Sequence, residues 1–403
     1  MHQGWMPTRI GDICKTNQQT YSVSEKWPFV NYLDTGNITE NRVSEIQHLV
    51  TGQDTLPSRA RRKVAVDDIL YSTVRPNQRH YGIVKEVLPN MLVSTGFAVI
   101  TADKAVADSD FLYYYLTQND IVDSLHAIGE QSVSAYPSIK PSDIESLEML
   151  LPPLDEQIEI GRTLRALDDK IANNKAINHH LEQMAQTIFK SWFVDFEPWG
   201  GVMPDDWREV PLGGVVEMST KALNPQSCPD TVLEHYSIPA FDETRLPVFE
   251  AAAEIKSNKY IVDKDCFLIS KLNPTTKRIW RPCCISKHAV CSTEFIVYRA
   301  KNPAHKDFYY SVIDSPAFTD FLLSHITGST GSRQRAIPRE TLSFSVIVPP
   351  DDIIEDFCDK VAAIYAHFEQ NHLESRRLRQ IRDSLLPRLM SGELSVADLG
   401  DAK

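Results

Sequence analysis

One pattern of residues occurs twice in this chain, and that duplication limits the folds open to it more than any other feature. Leu164, Leu167, Ile171, Asn174, Leu181, Met184 and Ile188 are matched by Val361, Ile364, Phe368, Asn371, Leu378, Ile381 and Leu385, each pair 197 residues apart. Other segments align at nearly the same offset. Asp68 to Asn77 (DILYSTVRPN) resembles Cys266 to Pro274 (CFLISKLNP), and Ser94-Thr95-Gly96-Phe97 matches Ser292-Thr293-Glu294-Phe295. Leu151-Pro152-Pro153 matches Val348-Pro349-Pro350, and Trp5 to Ile13 resembles Trp207 to Val215. A repeat of this length means one structural plan used twice, and it has to be recognised before any element is assigned.

The matched apolar positions recur every three or four residues, which is the stripe of one helix face. Leu154 to Glu197 contains no proline, and only Gly161 is a possible breaker. A helix of roughly 35 residues would be a rod about 50 Å long. A stripe of that length must be buried, and its nearest equivalent partner is its own repeat. The expected arrangement is an antiparallel coiled coil, with Asn174 and Asn371 in the seam fixing register at some cost in stability. The alternative is that each helix packs only on its own globular part.

Short β-branched and aromatic runs bounded by turn residues mark strands at ILYSTV and FAVIT, and again at CFLIS and EFIVYRA. Asp110 to Leu125 and Lys306 to Leu323 have helical spacing. Ser142 to Leu151 and Glu340 to Val348 read as a last strand before each Pro-Pro stop. The fold class is α+β, twice. Residues 1–150 form a first globular domain, 151–199 a long central helix, 200–348 a second globular domain, and 349–403 a C-terminal long helix and tail.

The chain has 403 residues, enough for two or three domains, and its 42% hydrophobic and 24% charged content is that of a globular protein. No apolar run approaches the length of a membrane span. The opening MHQGWMPTRIGDI has no basic region followed by an apolar one, so no secretory signal is expected. Seven irregularly spaced cysteines suit a reduced, cytoplasmic setting. The net charge of −12 is unevenly spread. Arg59 to Lys85 and Lys256 to Arg281 each carry seven Lys or Arg and two acids, leaving the remainder strongly acidic. Basic islands in an acidic chain suit a protein that touches DNA in two places and other proteins elsewhere.

Catalytic constellations are mostly absent. There is no GxxxxGK[ST] phosphate loop, no GxSxG elbow, and no Asn-Pro-Pro-Tyr or Asp-Pro-Pro-Tyr stretch of the kind that holds an adenine amino group. Pro229-Asp230 followed by Glu254-Ile255-Lys256 matches a loose Mg-dependent nuclease pattern, but the context of Asp230 reads as loop and the first half has nothing similar. Cys283, Cys284, His288 and Cys291 could make a zinc site. Adjacent cysteines suit tetrahedral ligation poorly, so buried reduced thiols are expected, with no metal and no catalytic residue in the chain.

The loops are better suited to binding. Arg75, Asn77, Arg79 and Tyr81 follow the first strand, and Lys271, Asn273, Lys277, Arg278 and Arg281 follow its counterpart. Cations serve phosphate oxygens, while Asn, Gln and Arg can bond base edges bidentately. A second loop in each half adds Ser132 and Tyr136, and Arg333, Gln334 and Arg335. On the helices, Phe189, Trp192 and Phe193 make an aromatic patch, and Arg376, Arg379 and Arg382 a basic run. Both are candidates for docking a partner protein; the patch could equally cap the rod against a globular part.

LPPLDEQIEIGRTLRALDDKIANNKAINHHLEQMAQTIFKSWFVDF is similar to the central segment of the specificity (S) subunits of type I restriction–modification systems. VPPDDIIEDFCDKV and LRQIRDSLLPRLMSGELSV are similar to their C-terminal segment, and Gly328 to Arg335 to the closing loop of their target recognition domains. The resemblance spans the whole chain. It implies that each globular part is a target recognition domain reading one half of a split duplex, with the helices setting the spacer. It implies two modification subunits carrying S-adenosylmethionine and methylating adenine at N6, and two motor/nuclease restriction subunits using ATP and Mg. This chain would catalyse nothing and touch no membrane. Gly129 to Tyr136 has no Arg-Gln-Arg equivalent, which departs from the family's closing loop. Two other readings stand beside this one: a nuclease using Asp230, Glu254 and Lys256, and an assembly scaffold without DNA specificity.

Overall fold

The structure, a computed structural model, describes residues 4–131, 136–328 and 334–400. The chain divides into two units, one of residues 1–171 with 377–403 and one of residues 172–376. The boundaries fall inside the two long helices, Leu154–Phe193 and Asp351–Met390. Each helix has 40 residues, about 60 Å at 1.5 Å per residue.

The first unit contains two four-stranded sheets. One runs in the order Gln47–Val50, Phe29–Leu33, Met91–Ser94, Ala60–Lys63; the other runs Cys14–Thr16, Phe97–Ala102, Ile69–Ser72, Tyr81–Ile83. The second unit repeats both. Val248–Ala251, Val232–Tyr236, Ala289–Ser292 and Lys259–Ile261 follow the first order, with Ala222–Leu223 added at the edge. Val216–Ser219, Phe295–Ala300, Cys266–Ser270 and Ile279–Trp280 follow the second. Even the single parallel pairing recurs, Leu92 beside Tyr32 and Val290 beside His235. The runs expected as strands are strands, and every residue of Ile69–Ser72 and of Cys266–Ser270 is buried.

Each globular part then closes in the same way. Ser109–Leu116 and Asn119–Glu130 are helices, as are Lys306–Asp314 and Pro316–Ser324. Asp108 caps the first by accepting from the Phe111 N–H at 2.9 Å, and Ser315 caps the last by accepting from Phe318 at 3.2 Å. The last strand is shorter than the sequence suggested. Pro141–Glu145 is a helical turn and only Glu148–Leu151 is strand; Glu340–Ser343 is a 3-10 turn before Ser345–Val348. A proline at the first helical position, Pro141, starts a turn readily.

The long helix begins where the two prolines end the strand, since proline needs no N–H partner there. Gln157 fixes that start. Its Oε1 accepts from the Asp108 N–H at 2.9 Å, and its Nε2 donates to the Val106 and Pro152 carbonyls at 3.1 and 2.8 Å. Gly161 is no breaker. A Cβ there would lie 2.7 Å from Asp108 Oδ1 and 3.0 Å from the Phe111 nitrogen, so glycine permits a close approach.

Within each unit the two helix segments meet running in opposite chain directions. In the first, Ile160 and Leu164 share a core with Leu385, Leu386, Leu389 and Met390, and Arg382 bonds Asp168 at 2.6 Å. In the second, Phe189 and Phe193 pack on Phe357, and Asn371 Nδ2 donates to Asn178 Oδ1 at 2.9 Å. Asn174 Nδ2 donates to Glu374 at 2.8 Å and to Ser375 at 3.3 Å. Asn174 and Asn371 are therefore buried polar residues within the second unit, as their place in the stripe implied.

Candidate nucleic-acid interface

Both units build their candidate DNA loops with one set of backbone bonds. In the first, the Ser72 N–H donates to His80 O and the Ser72 hydroxyl to Val74 O, each at 2.9 Å. In the second, the Ser270 N–H donates to Arg278 O at 2.8 Å and its hydroxyl to Leu272 O at 3.0 Å. The closing loop then docks on this turn. Arg75 N bonds Pro137 O at 2.9 Å and Ile139 N bonds Thr73 O at 2.8 Å. Correspondingly, Asn273 N bonds Gln334 O and Ala336 N bonds Lys271 O, both at 2.9 Å. Arg75 and Asn273 both hold positive φ, 49° and 46°. Two loops far apart in sequence thus form one surface in each unit.

The candidate side chains divide by what they already touch. Asn77 and Tyr136 are exposed, and the Arg75 guanidinium lies 4.6 Å from the Tyr136 ring centre. Lys271, Asn273 and Gln334 are half-buried. Arg335 is exposed and forms a fork on Glu294, 3.0 and 3.3 Å. Ser132 and Arg333 lie outside the described residues.

Other candidates are committed to neighbours inside their own unit. Arg79 donates to Asn119 at 2.8 Å and lies 3.8 Å from Glu40. Lys277 pairs with Asp314 at 2.5 Å, and Arg278 grips both oxygens of Asp242 at 2.6 and 2.9 Å. Tyr81 is buried beside Tyr71, ring centres 5.7 Å apart, and burial raises its hydroxyl above the usual range. Arg281 is deepest. It bonds Asp307 at 2.8 Å, bonds Glu369 as well, and stacks 4.7 Å from the Tyr365 ring. Burial works against its charge, but the two carboxylates outweigh it and hold the guanidinium firmly protonated.

The helix candidates divide similarly. Phe189 and Phe193 are buried in the second unit's core with Phe308 and Phe357. Trp192 is half-buried, with the Lys360 ammonium 5.2 Å from its ring. Arg376 covers the Phe249 ring at 3.7 Å, and Arg382 is bonded to Asp168 and Asp383. Arg379 is half-buried, and burial together with Arg42 and Arg382 depresses its pKa.

The sequence reading missed the hairpin Ile38–Thr39 with Arg42–Val43, which joins this surface in the first unit. Its turn residues Glu40 and Asn41 have φ of 46° and 62°, and their N–H groups donate to Arg79 O and Tyr81 O at 2.9 and 2.8 Å. An Asn in a two-residue turn between short extended runs was the available signal.

Asp230 sits in a turn and Glu254 at the end of a 3-10 turn, both exposed like Lys256, and neither acid is on a strand. Cys266, Cys284 and Cys291 pack in one apolar cluster, and burial pushes the thiols of Cys266 and Cys283 up to about 11 and about 12. Among the described residues no three His, Cys, Asp or Glu side chains gather as a metal site, and no helix is long and apolar enough to cross a membrane.

Comparison with known proteins shows what the chain resembles. Residues 2–183 match the family described as the type I restriction modification DNA specificity domain. A Haemophilus influenzae protein, the type I restriction enzyme HindI specificity subunit, is 26% identical over 97% of this chain and 99% of its own length. The MjaIX specificity subunit of Methanocaldococcus jannaschii is 25% identical over 97% of this chain and 93% of its own. In fold the chain is similar to the type I restriction–modification S subunit of M. genitalium, with a TM-score of 0.57, 14% identity and 96% of each chain covered. Over nearly its whole length the chain is similar to specificity subunits of type I restriction–modification systems, at 25–26% identity.

Proposed function

We propose that this chain reads a bipartite duplex target, one half with each globular domain, for a type I restriction–modification enzyme. The observation that carries this reading is the two-loop surface built twice from the same backbone bonds. In the first domain, residues 1–150, Arg75, Asn77 and Tyr136 would face the duplex, and Ser132 is a further proposed contact. In the second, residues 200–348, Lys271, Asn273, Gln334 and Arg335 would do so, with Arg333. Arg79, Lys277 and Arg278 can reach phosphates only by giving up their present partners. Tyr81 and Arg281 shape the loops from beneath.

The helices, with residues 151–199 and 349–403, act in this reading as an antiparallel coiled coil that sets the spacer. Two modification subunits dock along them, Trp192 and Arg376 contributing, and methylate adenine at N6 with S-adenosylmethionine. Two restriction subunits, using ATP and Mg, cleave unmodified DNA in the cytoplasm. Sequencing of methylated bases in a host that expresses the chain with its modification subunit tests this. A split motif with one methylated adenine in each half is expected; a continuous motif would contradict it.

A further inference from the structure

We propose that Glu294 is a positioning residue that holds Arg335 for end-on reading of one guanine in the second domain's half-site. The inference rests on the DNA-reading role proposed above and names a base for it. Arg335 is fixed through both backbone and side chain. Its backbone pairs with Thr327 and bridges to Leu272 in the neighbouring loop. Its guanidinium lies sideways on Glu294, Nε donating to one carboxylate oxygen at 3.0 Å and Nη2 to the other at 3.3 Å. Nothing else among the described residues engages that guanidinium. A guanidinium carries five N–H donors in a rigid fork. Glu294 takes the Nε–H and one Nη2–H, so the outer edge, made by Nη1 and the second Nη2–H, is left as a pair of parallel donors on an exposed residue.

Two parallel donors need two neighbouring acceptors, and in the major groove guanine alone offers them, at N7 and O6. A phosphate is the poorer match, because Glu294 offsets the charge of Arg335 and its carboxylate repels a phosphate there. The repeat shows that the loop frame does not need this pair. The Leu272–Arg335 bridge recurs as Val74–Ser138. The bond from the Lys271 N–H to Glu294 O, 2.9 Å, recurs from the Thr73 N–H to Gly96 O at 2.8 Å. Serine and glycine thus stand where the second unit has Arg335 and Glu294. A Cβ at Gly96 would lie 2.8 Å from Thr35 Cγ2, so that turn has no room for an acid. Both members of the pair are missing together while the backbone frame is intact, which assigns the pair to recognition.

The test uses the chain assembled with its modification subunits. The probes are a duplex carrying the motif that the wild type methylates, the same duplex with 7-deazaguanine at each guanine in turn, and a scrambled duplex. Glu294→Gln keeps the shape and removes the carboxylate; Arg335→Lys keeps the charge and removes the fork. Each is expected to lower the preference for target over scrambled duplex about tenfold, as for one bidentate base contact, with no loss of affinity for the scrambled duplex. Replacing one particular guanine should cost the wild type a comparable factor and cost neither variant anything further. The double variant should be no worse than either single one, since Glu294 acts through Arg335. The methylated motif of each variant should relax at that guanine alone. Equal losses on target and scrambled duplex overturn the proposal, because they mark a phosphate contact or a damaged fold. So does an unchanged preference, or a wild-type insensitive to 7-deazaguanine. If the wild-type motif is not bipartite, the functional reading fails, while the 7-deazaguanine comparison still decides the role of the pair.

Discussion

Asp168 and Tyr365 occupy the same position of the repeat and fasten their units differently. In the first unit Asp168 accepts from the Tyr114 hydroxyl at 2.7 Å and from Arg382 at 2.6 Å. In the second, Tyr365 lies under Arg281, whose guanidinium also grips Asp307 on a domain helix and Glu369 on the long helix. One unit uses a carboxylate as acceptor; the other uses an aromatic face plus two carboxylates from elsewhere. The strand order and loop bonds are kept, while the ionic contacts joining helix to domain are rebuilt. This duplicated fold keeps its backbone hydrogen bonds, which any side chain permits, while the ion pairs that fasten helix to domain differ between the two units.

The comparison can be broken first at the aromatic core. Phe193→Ala should cost the second unit about 3–5 kcal/mol, because Phe193 touches Phe308, Phe357 and Trp207. Leu164→Ala should cost the first unit a little less, about 2–5 kcal/mol. Denaturant unfolding followed by tryptophan emission would check this, since the second unit holds Trp192, Trp199, Trp207 and Trp280 and the first holds Trp5 and Trp27.

Arg281→Ala should come next, at about 3 kcal/mol, since it leaves the largely buried Asp307 without its partner and frees the half-exposed Glu369. Arg281→Lys should recover only part, because an ammonium cannot reproduce the fork and the stacking. Arg382→Ala should cost less, as its partner side chains are more exposed. Chemical denaturation of the three variants ranks them; equal losses from Arg281→Ala and Arg382→Ala would mean that the two clamps are interchangeable.

Gln157→Ala removes three hydrogen bonds from the start of the first unit's helix and should cost about 1–3 kcal/mol. Amide exchange should quicken at Asp108, whose N–H loses its acceptor. Unchanged exchange there would show that Gln157 is not the fastening.

The smallest expected effect is a pH dependence confined to the second unit. His235 is buried beside Glu250, its Nδ1 2.5 Å from the carboxylate. Burial lowers its pKa despite the opposing pull of Glu250, so folding favours the neutral ring. Its contribution is present above the ordinary histidine pKa, about 6.5, and is lost as pH falls through the lowered folded value. The second unit's stability should therefore fall between pH 7 and 5, and His235→Asn should flatten that slope. In the first unit the matching strand position carries Tyr32, which does not titrate there.

Much of this fold was legible because backbone patterns are local. The 197-residue offset located both helices, and the β-branched runs located Ile69–Ser72, Phe97–Ala102 and their repeats. The two-loop surface was legible as a matched pair of basic segments. The state of each cation in it was not. Arg281 meets Glu369 and Arg278 meets Asp242 only after folding, so sequence alone could not separate an open arginine from a committed one. The hairpin at Arg42 escaped notice because each of its strands has two residues, too short for any period.

The division of labour between the two loop surfaces is the central claim, and the methylated motif of a loop variant tests it most directly. Lys271→Ala with Asn273→Ala should relax or alter one half of the motif and leave the other half and the spacer as in the wild type. A change in both halves, or a motif with no second half to preserve, would contradict the assignment of one half-site to each domain.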